Sequence, residues 1–151
     1  MADILHRVGI KASSEKVFKA LATRDGLAGW WTTLTQWDGK LGSTIKFRFS
    51  EDGREIGGCD VKVAELRPAE RVLWHVSEGP ADWVGTKVSF ELKQEGDYSI
   101  VLFKHLDWKE PVEFMHHCST KWAIFLISLK ELVETGKGTP NPDDPQISNW
   151  H

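Results

Sequence analysis

Between Ser43 and His105 the sequence alternates apolar and polar residues in five separate segments. STIKFRFS sets Ile45, Phe47 and Phe49 against Lys46 and Arg48, and CDVKVAEL sets Cys59, Val61 and Val63 against Asp60 and Lys62. RVLWHV places Val72, Trp74 and Val76 opposite Leu73 and His75. TKVSFELK repeats the scheme with Val88, Phe90 and Leu92, and YSIVLFKH with Val101, Phe103 and His105. Successive side chains of a strand point to opposite faces, so each segment carries one face that needs cover. The connections are turn-like: Glu51-Asp52-Gly53, Arg67-Pro68-Ala69-Glu70 and Gln94-Glu95-Gly96-Asp97. Alternating strands joined this way make an antiparallel meander.

The cover comes from the longest periodic element. Pro111 suits a first helical position and Glu113 a first turn. Phe114, Cys118, Trp122, Phe125, Leu129 and Leu132 then recur at helical spacing up to Gly136, a residue suited to ending a helix. That stripe fits a helix lying across the inner face of a curved sheet. Upstream, Asp3–Lys11 reads as a strand. Ser13-Ser14-Glu15 supplies a helix start before Val17–Ala22, and a second short helix covers Asp25–Trp31. The class is α+β: a curved antiparallel sheet of about six strands, two short helices after the first strand, and a long C-terminal helix. We expect one domain over residues 1–135 and a Gly/Pro-rich tail over 136–151.

Within the long helix, WAIFLISL (Trp122–Leu129) is apolar almost all round, which an exposed helix should not be. Ile124 and Ile127 call for cover by the tail through Ile147 and Trp150, or by a second copy in a homodimer. The third option is that they stay exposed, as single apolar residues often do.

Composition narrows the function. A net charge of −3 with no basic run gives no footprint for nucleic acid. The N-terminus lacks a cationic lead and apolar core, and no segment reaches the ~20 apolar residues of a membrane span. Two cysteines are too few for a disulfide scaffold, so a reduced, cytoplasmic protein is expected. Eight tryptophans against one tyrosine stand out, because Trp fills cores and lines pockets.

Three stretches carry a family resemblance: Glu15-Lys16-Val17-Phe18-Lys19-Ala20-Leu21, Leu27-Ala28-Gly29-Trp30-Trp31, and Ser128-Leu129-Lys130 through Glu134-Thr135-Gly136-Lys137-Gly138-Thr139-Pro140. With this element order, the chain from Ile4 to Asp144 resembles the START-like (SRPBCC, helix-grip, pollen-allergen-like) superfamily. More narrowly it resembles bacterial single-domain relatives of the Aha-type heat-shock ATPase activators. The resemblance implies a sheet gripping the terminal helix around an internal cavity, which in many relatives holds an apolar or aromatic small molecule. His105 falls where many members carry a histidine.

Trp31, Trp74 and Trp122 can converge on one interior with Phe47, Phe90, Phe103 and Phe125. Spacing allows either an aromatic-lined pocket or a filled core. His105, with Cys118 nearby, is either a ligand-orienting group or a core histidine satisfied within the protein. The run His116-His117-Cys118 splays around a helix axis and cannot close on one ion, so no metal is expected. Cys59 shares the parity of Val61 and Val63 and reads as a small buried apolar residue. Asp82, Trp83, Asp107 and Trp108 are placed in loops that could rim a pocket mouth. Asp143-Asp144 and Glu51-Asp52 read as solvated pairs. No phosphate-binding glycine loop, serine elbow or zinc spacing asks for a cofactor. The leading function is binding of a small hydrophobic or aromatic molecule, as carrier or sensor, without catalysis. The alternatives are a cyclase- or dehydrase-like enzyme using a cavity histidine, and a co-chaperone-like interaction module.

Overall fold

A computed structural model describes all of residues 1–151. The order is β1 (Ala2–Ile10), α1 (Ser14–Leu21), α2 (Arg24–Trp30), β2 (Leu34–Gln36), β3 (Thr44–Glu51), β4 (Arg54–Arg67), β5 (Arg71–Glu78), β6 (Lys87–Glu95), β7 (Tyr98–Trp108) and α3 (Glu113–Thr135). The strands form one sheet of seven in the order β1-β7-β6-β5-β4-β3-β2, and every pairing is antiparallel. Register shifts interrupt the β1–β7, β3–β4 and β4–β5 ladders. Such bulges bend strands and add twist, which lets the sheet curl around α3. β2, the seventh strand, is three residues long, too short for alternation to reveal.

The local signals act as the chemistry requires. Ser13 caps α1, its hydroxyl accepting from the Lys16 N–H, and Thr23 caps α2 by accepting from the Gly26 N–H. α3 starts at Glu113 with Val112 as its N-cap. Pro111 therefore lies just outside the helix, ahead of the first helical position that suited it. α3 ends at Gly136, whose φ of 90° is the left-handed geometry that favours glycine.

Phe114 and Leu132, the two ends of the α3 stripe, are only partly buried, whereas Cys118, Trp122, Phe125 and Leu129 join one apolar core with residues from β1, α1, α2 and β3–β7. Asp107 and Trp108 belong to β7, and Trp108 is fully buried, so neither rims an opening in a loop. No helix is long and apolar enough to cross a membrane.

Past Gly136 the chain turns back. Gly138 runs so close to the Gly29 and Ser128 carbonyls that any side chain there would collide with them. The Ser128 hydroxyl donates to the Trp30 carbonyl and accepts from the Thr139 N–H, pinning the tail to α2 and α3. Asn141 is then locked on every side. Its N–H donates to the Trp31 carbonyl and its carbonyl accepts from the Thr33 N–H. Its side chain pairs with both the N–H and the carbonyl of Ser50. The tail thus crosses the ends of β3 and the N-terminal half of α3. It does not reach Ile127, which stays 46% exposed; Trp150 packs on Phe114 and His117 instead.

Candidate functional site

The inner faces of β3, β5, β6 and β7 carry a file of interlocked rings. Ring centroids lie 5.5 Å apart for Phe47 and Trp74, 5.1 Å for Trp74 and Phe90, and 5.3 Å for Phe90 and Phe103. Phe103 continues to Trp122 at 4.5 Å, and Trp31 sits 4.3 Å from Phe47 and 4.9 Å from Trp122. Edge-to-face and tilted pairs at these distances are favourable and leave no room for a guest. Phe47, Trp74, Phe90 and Phe103 belong to the core, and none of them lines the pocket beside it.

The space lies at one end of this file. A partly open pocket of about 180 Å³ has Trp31, Trp122, Phe125, Phe49, Cys118 and Trp83 among its walls. Four residues singled out from the sequence thus meet here: Trp31, Cys118, Trp122 and Phe125. Phe49 shares the parity of Phe47 but faces the void. Trp83, from the β5–β6 connection, stands over it, nearly parallel to Trp122 with centroids 5.9 Å apart. The pocket exists because of a register pairing. Phe49 sits opposite Gly57 on β4, and directly paired residues share a face. A Cβ added at Gly57 would meet no atom within 4 Å, and Gly57 itself is exposed, so the pocket opens to solvent at this position. Where most cross-strand pairs would supply a second side chain, this one leaves the side of the pocket open beside a half-buried Phe49.

His105 is not at the pocket surface; it is fully buried beneath Trp83 and Trp122. The Trp122 indole N–H donates to its Nδ1 at 3.1 Å. That nitrogen is therefore the acceptor, and the ring proton sits on Nε2, 2.8 Å from the Thr86 hydroxyl. Thr86 in turn donates to the Trp83 carbonyl at 2.6 Å. Every ring hydrogen-bonding position is used, and burial pushes the imidazole pKa down to about 3. His105 is a strut tying Trp83 to Trp122, with no group left to orient a ligand.

Both thiols are inert near neutrality: burial pushes Cys59 and Cys118 up to about 12. The Trp83 indole N–H has no hydrogen-bond partner among buried polar groups, and it lies beside the Cys118 sulfur, pulling that thiol back down.

The tail supplies the polar side of the pocket, with Asn141, Asp144, Trp150 and His151. Asp144 departs from the solvated reading. Its carboxylate is 1% exposed, paired with Lys121 and accepting from the Asn141 side-chain amide at 3.0 Å and from His151 at 3.2 Å. A buried carboxylate persists only when paired and hydrogen-bonded in this way. Lys121 also lies 5.2 Å from the Phe125 ring centroid, so its charge is spread over an acceptor, a carboxylate and a π face. His117 meets the Ser148 hydroxyl at 3.0 Å, and its pKa is lowered by burial first and then by the Lys121 charge and the nearby His151 ring. No three or more His, Cys, Asp or Glu side chains converge as an ion-binding group. The site is an aromatic cup with a charge-compensated rim.

Sequence reasoning missed Gly57, Asn141 and Asp144 as parts of the site. Phe114 and Trp150 also reach the pocket, although the sequence marks them only as part of the helix stripe and as a tail residue, and His117 joins them from the run that cannot close on an ion. Of the four residues placed in loops that could rim a pocket mouth, Trp83 is the one in the pocket wall.

The fold recurs elsewhere. A family model described as Activator of Hsp90 ATPase homolog 1-like protein matches residues 11–134. The solution structure of the Aha1 dimer from Colwellia psychrerythraea is 49% identical, with a TM-score of 0.81, covering 91% of this chain and 100% of that one. Protein SSP2350 from Staphylococcus saprophyticus shares the fold at 17% identity and TM-score 0.73, over 91% of this chain and 95% of that one. CalU16 from Micromonospora echinospora does so at 16% identity and TM-score 0.69, over 89% of this chain and 77% of that one. No curated protein matches the sequence. With its helix-grip architecture and a match spanning α1 to the end of α3, the chain belongs to the Activator of Hsp90 ATPase homolog 1-like family.

Proposed function

We propose that this protein binds a small hydrophobic or aromatic molecule in the pocket between β3, β4 and α3, as a carrier or sensor. The observation that carries the reading is the Phe49–Gly57 pair, which leaves apolar volume beside a solidly packed core. An apolar cavity of about 150 Å³ is enough for benzene, so about 180 Å³ suits a molecule of one or two rings. Indole, naphthalene and their methyl derivatives are the probes of choice. In an amide and indole N–H NMR titration, naphthalene should shift the Trp31, Trp83 and Trp122 signals and leave Trp74 in place. Gly57→Phe should abolish those shifts. Binding unaffected by Gly57→Phe, or no binding by any probe, rejects the reading.

The 49% identical Colwellia relative is a dimer, and this supports a second copy as partner here. Ile127, exposed on α3 and clear of the tail, is the apolar residue we place at that contact. Light scattering should return twice the chain mass at tens of micromolar, and Ile127→Glu should return the monomer. A monomer at every concentration counts against it.

A further inference from the structure

The tail is held very unequally along its length. Up to Asn141 it is fastened by paired backbone and side-chain hydrogen bonds to Trp31, Thr33 and Ser50, and Asp144 is buried against Lys121. Beyond Pro145 no backbone–backbone hydrogen bond joins the tail to the rest of the molecule. Its two such bonds, Ile147 to His151 and His151 to Ser148, close the segment on itself. Four side-chain contacts hold it down: Ser148 on His117, His151 on Asp144, His151 on Glu51 at 3.7 Å, and a half-exposed Trp150 against Phe114 and His117. Trp150 and His151 are nevertheless part of the pocket wall. Segments with few buried apolar contacts and no backbone ladder to the body are the ones that open first. At about 180 Å³ the partly open pocket is also smaller than the roughly 300–1,000 Å³ typical of ligand sites, so anything beyond a compact ring system needs a wall to move.

We propose that residues 146–151 form a lid, hinged beside the buried Asp144, that swings off Phe114 and His117 to admit ligand and closes over it. The lid rests on the pocket being a binding site. Its parts divide the labour: Asn141 and Asp144 hold the hinge, while Ser148, Trp150 and His151 are latches that can release without disturbing the core.

Stopped-flow fluorescence with N-phenyl-1-naphthylamine separates this from a static wall. In the wild-type chain the observed association rate should rise with probe concentration and then level off at the opening rate. The full-length triple variant Ser148→Ala, Trp150→Ala, His151→Ala should lose the plateau and associate at least tenfold faster at the highest concentration. Trp150→Ala alone should fall between the two. Binding in all three proteins with the same linear concentration dependence overturns the lid and leaves the pocket standing. No binding of this three-ring probe in any of them removes the lid, and the pocket then stands or falls by the naphthalene titration.

Discussion

The two ends of the aromatic file are built from the same residue types and behave differently. At the closed end Trp74 is surrounded by Phe47, Phe90 and Trp31, with no exposed surface. At the open end Phe49 touches Trp31 and Phe125 but faces Gly57 across the ladder. What separates a core from a pocket here is one missing side chain at one register position. Aromatic content says how much apolar surface must be hidden, and register decides where the hiding is incomplete.

The comparison can be broken first by truncation. Trp74→Ala should destabilise by about 3–5 kcal/mol, the usual cost of an excavated core ring. Phe49→Ala, which only enlarges an existing void, should cost about half that or less. Equal denaturation midpoints for the two variants would erase the distinction.

Acid should act next. Because the native pKa of His105 lies near 3, below its ordinary value near 6.5, the unfolded chain takes up a proton before the folded one does. The stability His105 contributes is thus complete above pH 6.5 and is lost as pH falls towards 3, by up to about 4 kcal/mol. His117, also lowered, adds a loss of the same sign. A non-titrating His105→Gln should flatten the midpoint-against-pH curve over this window; an unchanged slope would show that His105 is not sealed.

Asn141→Ala should cost about 2–3 kcal/mol, since it leaves the Ser50 N–H without its acceptor and takes one donor from the Asp144 carboxylate, which keeps Lys121 and His151. It should also raise hydrogen exchange across residues 138–151 while β5–β7 stay protected. The smallest effect concerns the thiols. With both pKa values near 12, Cys59 and Cys118 should react with a disulfide reagent at pH 8 at least a hundredfold more slowly than a free thiol. Fast labelling of the native protein would contradict their burial.

Much of this was legible in advance. Period-two alternation located β3 to β7, and the stripe through Cys118, Trp122 and Phe125 located the inner face of α3. Trp31, Cys118, Trp122 and Phe125 reach the pocket because inward-facing residues were what the periodicity detects. The same rule also drew in Phe47, Trp74, Phe90, Phe103 and His105, since it reports which way a side chain faces and is silent on whether the space ahead is filled. Gly57 has no side chain and leaves no periodic trace, and its pairing with Phe49 depends on a hairpin register offset by a bulge one residue further along. Asp144 looked solvated because its partner Lys121 lies on another element, brought near only by the turn at Gly136 and the lock at Asn141.

Xenon diffraction tests the central claim most directly, because the gas settles only in apolar volume that atoms have left empty. A crystal of this protein under xenon pressure should show one strong peak bounded by Trp31, Phe49, Gly57, Trp83 and Trp122. There should be none among Phe47, Trp74, Phe90 and Phe103. Xenon lodged within that inner file, or absent from both places, would contradict the account.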